Sequence, residues 1–168
     1  MKKFVSFFLL FSVLLLTGCS QKDLIDIYVF SDRFSGHSET FNIDTDAFMA
    51  SEEKGEIVFP ITFNDKFLLT IRVNEETSLI SQISVVCLCN KNKTITERDF
   101  DNFCEIVDCA IKAFTNLENT EDIFSNLSLG KLDNISENTH LHYEKGFYKY
   151  SLFLNEVGIY FSASTERR

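Results

Sequence analysis

The two histidines of the segment His140-x-His142 have the spacing best suited to joint chemistry in this sequence. Alternate residues of a β-strand project from the same face, so on a strand these imidazoles would lie side by side. Two imidazoles could supply half of a metal site, since histidine nitrogen is a common zinc ligand. The sequence identifies no third ligand, and a solvated strand face is the alternative interpretation. His37 follows Gly36 in a predicted turn and is interpreted as part of a polar loop.

Four cysteines beyond the first twenty residues could form a metal site, disulfides or buried thiols: Cys87, Cys89, Cys104 and Cys109. Cys104 and Cys109 lie five positions apart on a predicted helix, so they diverge by about 140° at about 100° per residue. Helical ligand pairs need spacings of three or four, and the overall pattern matches no usual zinc motif. We therefore predict no zinc site. Cys104 is expected to be buried or disulfide-bonded to Cys87 or Cys89; for Cys109 pairing and an anaerobic habitat stay open, and burial is favoured.

The carboxylates do not form a recognisable acid/base pair. Asp44, Asp46, Asp99, Asp101 and Asp108 are spread along the chain, and none shares an evident apolar environment with another. Gly-x-Gly phosphate loops, Gly-x-Ser-x-Gly and His-Glu-x-x-His are absent from the sequence. The sequence therefore predicts neither a catalytic site nor a cofactor or metal site.

The amino-terminal residues have the character of a secretion signal. Lys2 and Lys3 precede an apolar run from Phe4 to Leu16 that only Ser6 and Ser12 interrupt. A helix needs about 20 apolar residues to cross a bilayer, and this run is shorter. A charged start, a short apolar core and small residues before a cut are typical of signal peptides.

The segment Leu16-Thr17-Gly18-Cys19 resembles the lipobox of bacterial lipoproteins. That resemblance implies a diacylglyceryl group on the Cys19 sulfur, cleavage just before Cys19 and a lipid anchor in the cell membrane, on its extracytoplasmic face. Two or more acyl chains would make the anchoring lasting. The resulting organisation is a signal peptide at 1–18, a short tether at 19–23 and a single domain at 24–168. The abundance of Phe and the lack of Trp favour an AT-rich genome of the Firmicutes type.

The net charge limits the classes of partner. Removal of Lys2 and Lys3 with the signal reduces 16 basic residues to 14, against 25 acidic residues, so the mature chain carries −11. Nucleic-acid binding needs Lys and Arg to neutralise phosphates, and adsorption to anionic lipid needs a basic patch. The charge therefore argues against both and leaves an envelope protein as the possible partner.

The hydrophobic periodicity predicts an α+β domain in which helices pack on one face of an antiparallel sheet. Alternating apolar residues predict a strand from Ile25 to Phe30, a turn at Ser35-Gly36 and a strand face with Phe41 and Ile43. They further predict a strand 56–63 with Pro60 at an edge or bulge, a strand 67–73, and a strand whose inner face holds Leu79, Ile83, Val85, Cys87 and Cys89. An amphipathic helix with a capping-box start at Thr94 or Thr96 follows, and its apolar face holds Phe100, Phe103, Cys104, Val107, Ile111 and Phe114. A helix Thr120–Leu127 with Gly130 as C-cap is predicted next. Three further strands are predicted around Leu141 and Tyr143, Tyr148 to Leu154, and Val157 to Ala163.

Function is left open between classes of envelope protein. The lack of catalytic motifs and the short tether favour a non-catalytic binding or accessory lipoprotein. An inhibitor or immunity-type protein against a secreted toxin or hydrolase is the alternative, followed by an envelope hydrolase. A stoichiometric protein partner would favour the first two, and turnover of an envelope substrate the last.

Overall fold

A computed structural model describes residues 25–89, 94–134 and 139–165. These ranges contain three α-helices: α1 (Ile27–His37), α2 (Glu97–Thr115) and α3 (Glu121–Asn126). They contain seven strands: β1 (Ser51–Glu53), β2 (Glu56–Thr62), β3 (Phe67–Asn74), β4 (Ile80–Leu88), β5 (His140–Lys145), β6 (Tyr148–Asn155) and β7 (Gly158–Thr165). Single 3-10 turns occur at Thr45–Ala47 and Leu132–Asn134. No helix within these ranges is both long and apolar enough to cross a membrane.

The seven strands form one antiparallel sheet in the order β1-β2-β3-β4-β7-β6-β5. Strands β1 to β4 form one meander, and β5 to β7 form a second, each connected by short turns. The meanders join where β4 pairs with β7, with Val85 opposite Phe161. The predicted α+β architecture, with helices between two meanders and packed against the sheet, is confirmed.

The hydrophobic core lies between one face of the sheet and the helices. On β3, Phe67, Leu69, Ile71 and Val73 are buried, and the residues between them are only partly buried. The buried stripe of α2, which includes Phe103, Ile106, Val107 and Ala110, belongs to the same cluster. An amphipathic helix and a sheet with alternating polarity can each hide their apolar side only by facing each other. One side of the sheet is thereby used for the core.

The start of α2 is attached to the sheet through polar contacts. Thr96 is the N-cap, and its side chain accepts a hydrogen bond from the backbone N–H of Asp99, as the capping pattern at Thr96 predicts. Lys66, in the turn before β3, places its Nζ 2.7 Å from Asp99 Oδ2. Burial opposes ionisation of Asp99, but the hydrogen bonds from Lys66 and Thr96 outweigh it and lower its pKa. The pair anchors the first turn of α2 beside β3.

The predicted first strand is wrong, because residues 27–37 form α1 instead. The Asp26 side chain accepts hydrogen bonds from the backbone N–H groups of Tyr28 and Val29, both at 2.9 Å, which starts a helix. The residues that the helix buries have helical spacing: Ile27, Phe30, Ser31 and Phe34. Alternation over six residues does not exclude this longer period.

Two smaller predictions in this part of the chain also differ. Ser35-Gly36 lies within α1 and forms no turn. Phe41 and Ile43 are buried as predicted, but they lie outside any strand. The helix α1 includes Ser35-Gly36, and the segment that follows α1 packs Phe41 and Ile43 on the core without joining the sheet.

The inner face of β4 begins one residue later than predicted. A register shift places Val73 opposite Ile80 and Arg72 opposite Gln82, so that Ser81 is the extra residue of a bulge. Ile80 is therefore buried in place of Leu79. Ile83, Val85 and Cys87 point inward as predicted.

Strand-edge and cap predictions are partly confirmed. β1 pairs only with Glu56–Val58, so Pro60 lies where β2 has no outer neighbour among the described residues, as its missing N–H requires. Helix α3 has Thr120 as N-cap and Leu127 as C-cap, close to the predicted bounds. Gly130 is not its cap, because the left-handed residue after α3 is Ser128, with φ 56°.

Candidate binding face

The side of the sheet away from the helices, here called the open face, lies outside the hydrophobic core cluster. Strand register orders its side chains into rows that cross the sheet. The first row is apolar and aromatic and runs through Leu68, Val86, Tyr160, Phe153 and His140. The Phe153 and Tyr160 rings are 6.1 Å apart between centroids, and the His140 ring meets Phe153 at 5.5 Å. Leu68, Val86, Phe153 and Tyr160 are only partly buried, so this row presents apolar surface to solvent.

The second row consists mainly of hydroxyl groups. It runs through Thr70, Ser84, Ser162, Ser151 and His142. His142 Nδ1 lies 2.9 Å from Ser151 Oγ. The side-chain amide of Gln82, in the adjacent row, donates a hydrogen bond to Ser84 Oγ at 3.3 Å. Because serine and threonine side chains are short, the backbone lies close to the surface here, and each hydroxyl can donate and accept a hydrogen bond.

The third row is charged. It runs through Arg72, Gln82, Ser164, Lys149 and Glu144. At one end Arg72 Nη1 lies 3.0 Å from Glu53 and 3.4 Å from Glu56, and at the other Lys149 Nζ lies 3.6 Å from Glu144. Opposite charges are thus paired at both ends of the row. The Lys149–Glu144 pair is exposed, and such pairs contribute little to stability.

A depression of about 470 Å³ lies between the aromatic and hydroxyl rows. Its walls include Val86, Phe153 and Tyr160 on the apolar side and Ser84 and Ser162 on the polar side. Its volume is in the range of ligand sites, about 300–1,000 Å³. The combination of aromatic rings with hydrogen-bonding groups is typical of the central part of a binding surface.

A second depression, of about 380 Å³, lies at the end of the helical layer and is lined by Cys89, Thr94, Ile95, Leu132, Leu154, Asn155 and Glu156. The Cys89 thiol is the strongest nucleophile among these residues. Burial raises the pKa of Cys89, which disfavours the thiolate that would react. This depression therefore offers apolar volume without evident chemistry.

The contact between His142 and Ser151 has two components of a nucleophilic site. In such sites a third group orients the base, and backbone N–H groups stabilise the oxyanion. The backbone beside Ser151 is engaged in strand pairing with β5 and β7. The contact orients the imidazole of His142 on the open face.

The structure separates the residues that the sequence singled out. His140 and His142 lie together on the open face with ring centroids 4.2 Å apart, while His37 is exposed at the end of α1. No group of three or more metal-ligating side chains occurs in the described part of the chain. Cys19, the signal peptide at 1–18 and the tether at 19–23 lie outside the described residues. Tyr160 and Ser151 are not among the residues predicted from the sequence, although a large aromatic residue on the solvated face of a strand is a usable signal.

The four cysteines of the described ranges are free thiols. Cys87 and Cys109 are buried, as favoured for Cys109. Ser38, at the end of α1, lies near the Cys109 thiol, and α1 packs against α2. Cys104 is half-buried, and its thiol lies 3.5 Å from the Leu129 carbonyl oxygen.

These positions predict the order of alkylation in the native, reduced protein. Burial raises the pKa of Cys87 and Cys104 to about 12 and that of Cys109 to about 11, so thiolate is scarce at pH 8. We expect iodoacetamide to label Cys89 first and the other three only after unfolding in urea. Peptide mass spectrometry of timed samples measures the order. Labelling of Cys104 as fast as Cys89 without denaturant would contradict it.

Comparisons with known proteins add no assignment. No protein-family model matches the sequence, no curated protein matches it, and no solved structure matches the fold of this chain. The features that bear on function are therefore the open face and the amino-terminal sequence.

Proposed function

We propose that this protein is a lipid-anchored, non-catalytic binding module of the bacterial cell envelope, and that its open face binds a partner protein. The observation that carries the proposal is the one-sided sheet: the helices bury one face, and the opposite face presents aromatic, hydroxyl and charged rows outside the core. The lipobox-like segment ending at Cys19 supports the anchor and the extracytoplasmic location.

The composition of the open face suits a protein partner. Tyr160 and Phe153 supply apolar contact area that is not used by the core, and tyrosine and phenylalanine are enriched in interfaces. Ser84, Ser151 and Ser162 supply hydrogen bonds around them. A central aromatic pair bordered by polar groups is the arrangement in which a few residues carry most of the binding free energy.

The charge of the chain suggests the chemistry of that partner. After removal of Lys2 and Lys3, 14 basic residues stand against 25 acidic ones, a net −11. Such a surface attracts a basic protein and speeds encounter at low salt. The attraction is screened beyond about 8 Å at physiological ionic strength, so binding should weaken as salt increases.

The experiment compares two tyrosine variants of the lipidated protein, each purified from its own envelope without crosslinking. Tyr160→Ala removes a ring of the open face, whereas Tyr28→Ala removes an exposed ring of α1, 65% accessible, and serves as the matched control. We expect wild type and Tyr28→Ala to retain a stoichiometric basic partner at low salt. Tyr160→Ala should bind it about 30-fold more weakly, the effect of a 2 kcal/mol hot spot.

Several outcomes would reject the proposal. These are equal recovery of the partner by both tyrosine variants, a partner held equally at low and high salt, or an acidic partner. Turnover of an envelope substrate by wild type, lost on Ser151→Ala, would instead identify a hydrolase. Thermal melts of each variant show whether the fold is retained.

A further inference from the structure

The two histidines of β5 are close enough to bind one metal ion together. His140 and His142 are both exposed on the open face, and their ring centroids are 4.2 Å apart. Histidine nitrogens bind zinc at about 2.0–2.1 Å, so two rings at this separation can converge on one ion. Imidazole ligands suit zinc, copper and nickel.

Neighbouring side chains hold both rings in place. His142 Nδ1 lies 2.9 Å from Ser151 Oγ, and the His140 ring packs edge-on against Phe153 at 5.5 Å. A ligating histidine usually makes a hydrogen bond through its other ring nitrogen, which fixes its orientation. The Ser151 contact therefore leaves Nε2 of His142 for a metal.

The described part of one chain does not complete such a site. Zinc takes at least three protein ligands, and no cluster of three metal-ligating side chains is found in the ranges that the structure describes. The missing ligand therefore comes from outside the described residues. The position of β5 at the edge of the sheet indicates where it would approach.

The outer edge of β5 has backbone groups available for another strand. Leu154 donates to the Thr139 carbonyl at 3.1 Å, so the odd-numbered residues here pair with β6. In an antiparallel ladder the residues alternate, so the backbone groups of His140, His142 and Glu144 point away from the sheet. No strand of the described ranges pairs with this edge, and such an edge is a template for a further strand.

We propose that His140 and His142 are two ligands of a zinc-type metal site, and that β5 of a second copy of this chain completes it. Antiparallel pairing centred on His142 places Glu144 of each copy directly opposite His140 of the other, on the same face. Each ion is then held by two histidines of one copy and one carboxylate of the other, a ligand set known for zinc. The same register places Tyr143 opposite Leu141 on the helix side, where both are partly buried.

The charge of the chain explains why the metal is needed for pairing. Two copies at a net −11 each repel one another, and each bound divalent ion removes part of that repulsion. Glu144 is available as a ligand because its contact with Lys149 is long, 3.6 Å, and its side chain is 69% exposed. Pairing and metal binding are therefore coupled.

The test uses the full lipidated chain in detergent, titrated with Zn²⁺ alone and followed by sedimentation and by metal analysis. We expect a monomer in EDTA, and a dimer with one Zn²⁺ per chain on titration. His142→Ala should lose both the Zn²⁺ and the dimer, Glu144→Gln should lose the dimer, and Ser151→Ala should weaken Zn²⁺ binding by about 10-fold. His37→Ala, at an exposed histidine outside the site, is the matched control and should behave as wild type.

A dimer that persists in EDTA would overturn the inference. So would Zn²⁺ bound by the monomeric wild type, or an affinity of His142→Ala for Zn²⁺ equal to that of wild type. Absence of Zn²⁺ binding would overturn it equally. Circular dichroism of each variant establishes that the fold is present. Binding of the partner protein through Tyr160 is measured separately, so failure of either idea leaves the other standing.

Discussion

Replacing Cys19 with Ala should abolish lipid attachment and release the protein from the membrane, or leave it as uncleaved precursor. The cysteine sulfur is the atom that the lipobox resemblance assigns to diacylglyceryl transfer, and Ala has no nucleophile to replace it. Each buried methylene of an acyl chain contributes about 0.8 kcal/mol to membrane binding, so loss of the whole anchor is an all-or-none effect.

The measurement is incorporation of labelled palmitate followed by separation of membrane and soluble fractions. Cys89→Ala is the matched control, because it removes a half-exposed cysteine of the folded domain and should be labelled like wild type. Labelling of the Cys19→Ala chain at the wild-type level would show that the proposed anchor is wrong.

Replacing Gly158 with Ala should give the largest loss of stability among the glycine positions. A Cβ at Gly158 would lie 2.2 Å from the Cys87 carbonyl oxygen and 3.1 Å from the Leu88 Cα. Both are backbone atoms of β4, so relief requires the β4–β7 pairing to move at the junction of the two meanders. Overpacking typically costs about 1–3 kcal/mol, and a rigid backbone neighbour places this site at the upper end.

Thermal unfolding followed by circular dichroism checks this expectation, with a predicted fall in Tm of about 6–12 °C for 3 kcal/mol. Gly36→Ala is the control, because no atom lies within 4 Å of its added Cβ and Gly36 is in helix α1. Ala is favoured over Gly in a helix by about 0.5–1 kcal/mol, so that variant should melt at or above wild type. An unchanged Tm for Gly158→Ala would show that β4 and β7 are not closely packed at this point.

The sequence predicted the elements that have a clear hydrophobic periodicity or a local helix cap. The α2 stripe around Phe103 and Val107 and the alternation in β3 each hide an apolar side, and each was recognised without tertiary information. Thr96 marked the start of α2 because its cap is made within four residues. Interactions within a few residues can be recognised from residue types alone.

Predictions were wrong where a distant contact decided between two local possibilities. Residues 27–30 fit a strand as well as the helix that the Asp26 cap starts, and packing of Phe30 and Phe34 in the core favours the helix. Ile80 replaces Leu79 on the inner face because a bulge at Ser81 shifts the β3–β4 register. Such a shift depends on the pairing of two strands, which neither strand specifies by itself.

The sequence by itself determined the lipobox-like segment at Cys19, the acidic charge, the α+β class and the pair His140-x-His142, since each depends on composition or on neighbours along the chain. The tertiary structure alone decided that Tyr160, Phe153 and Ser151 share the open face with those histidines, and that β5 is an edge. The physical reason is that strand order and register bring together side chains from separate segments, and this depends on how the whole core packs.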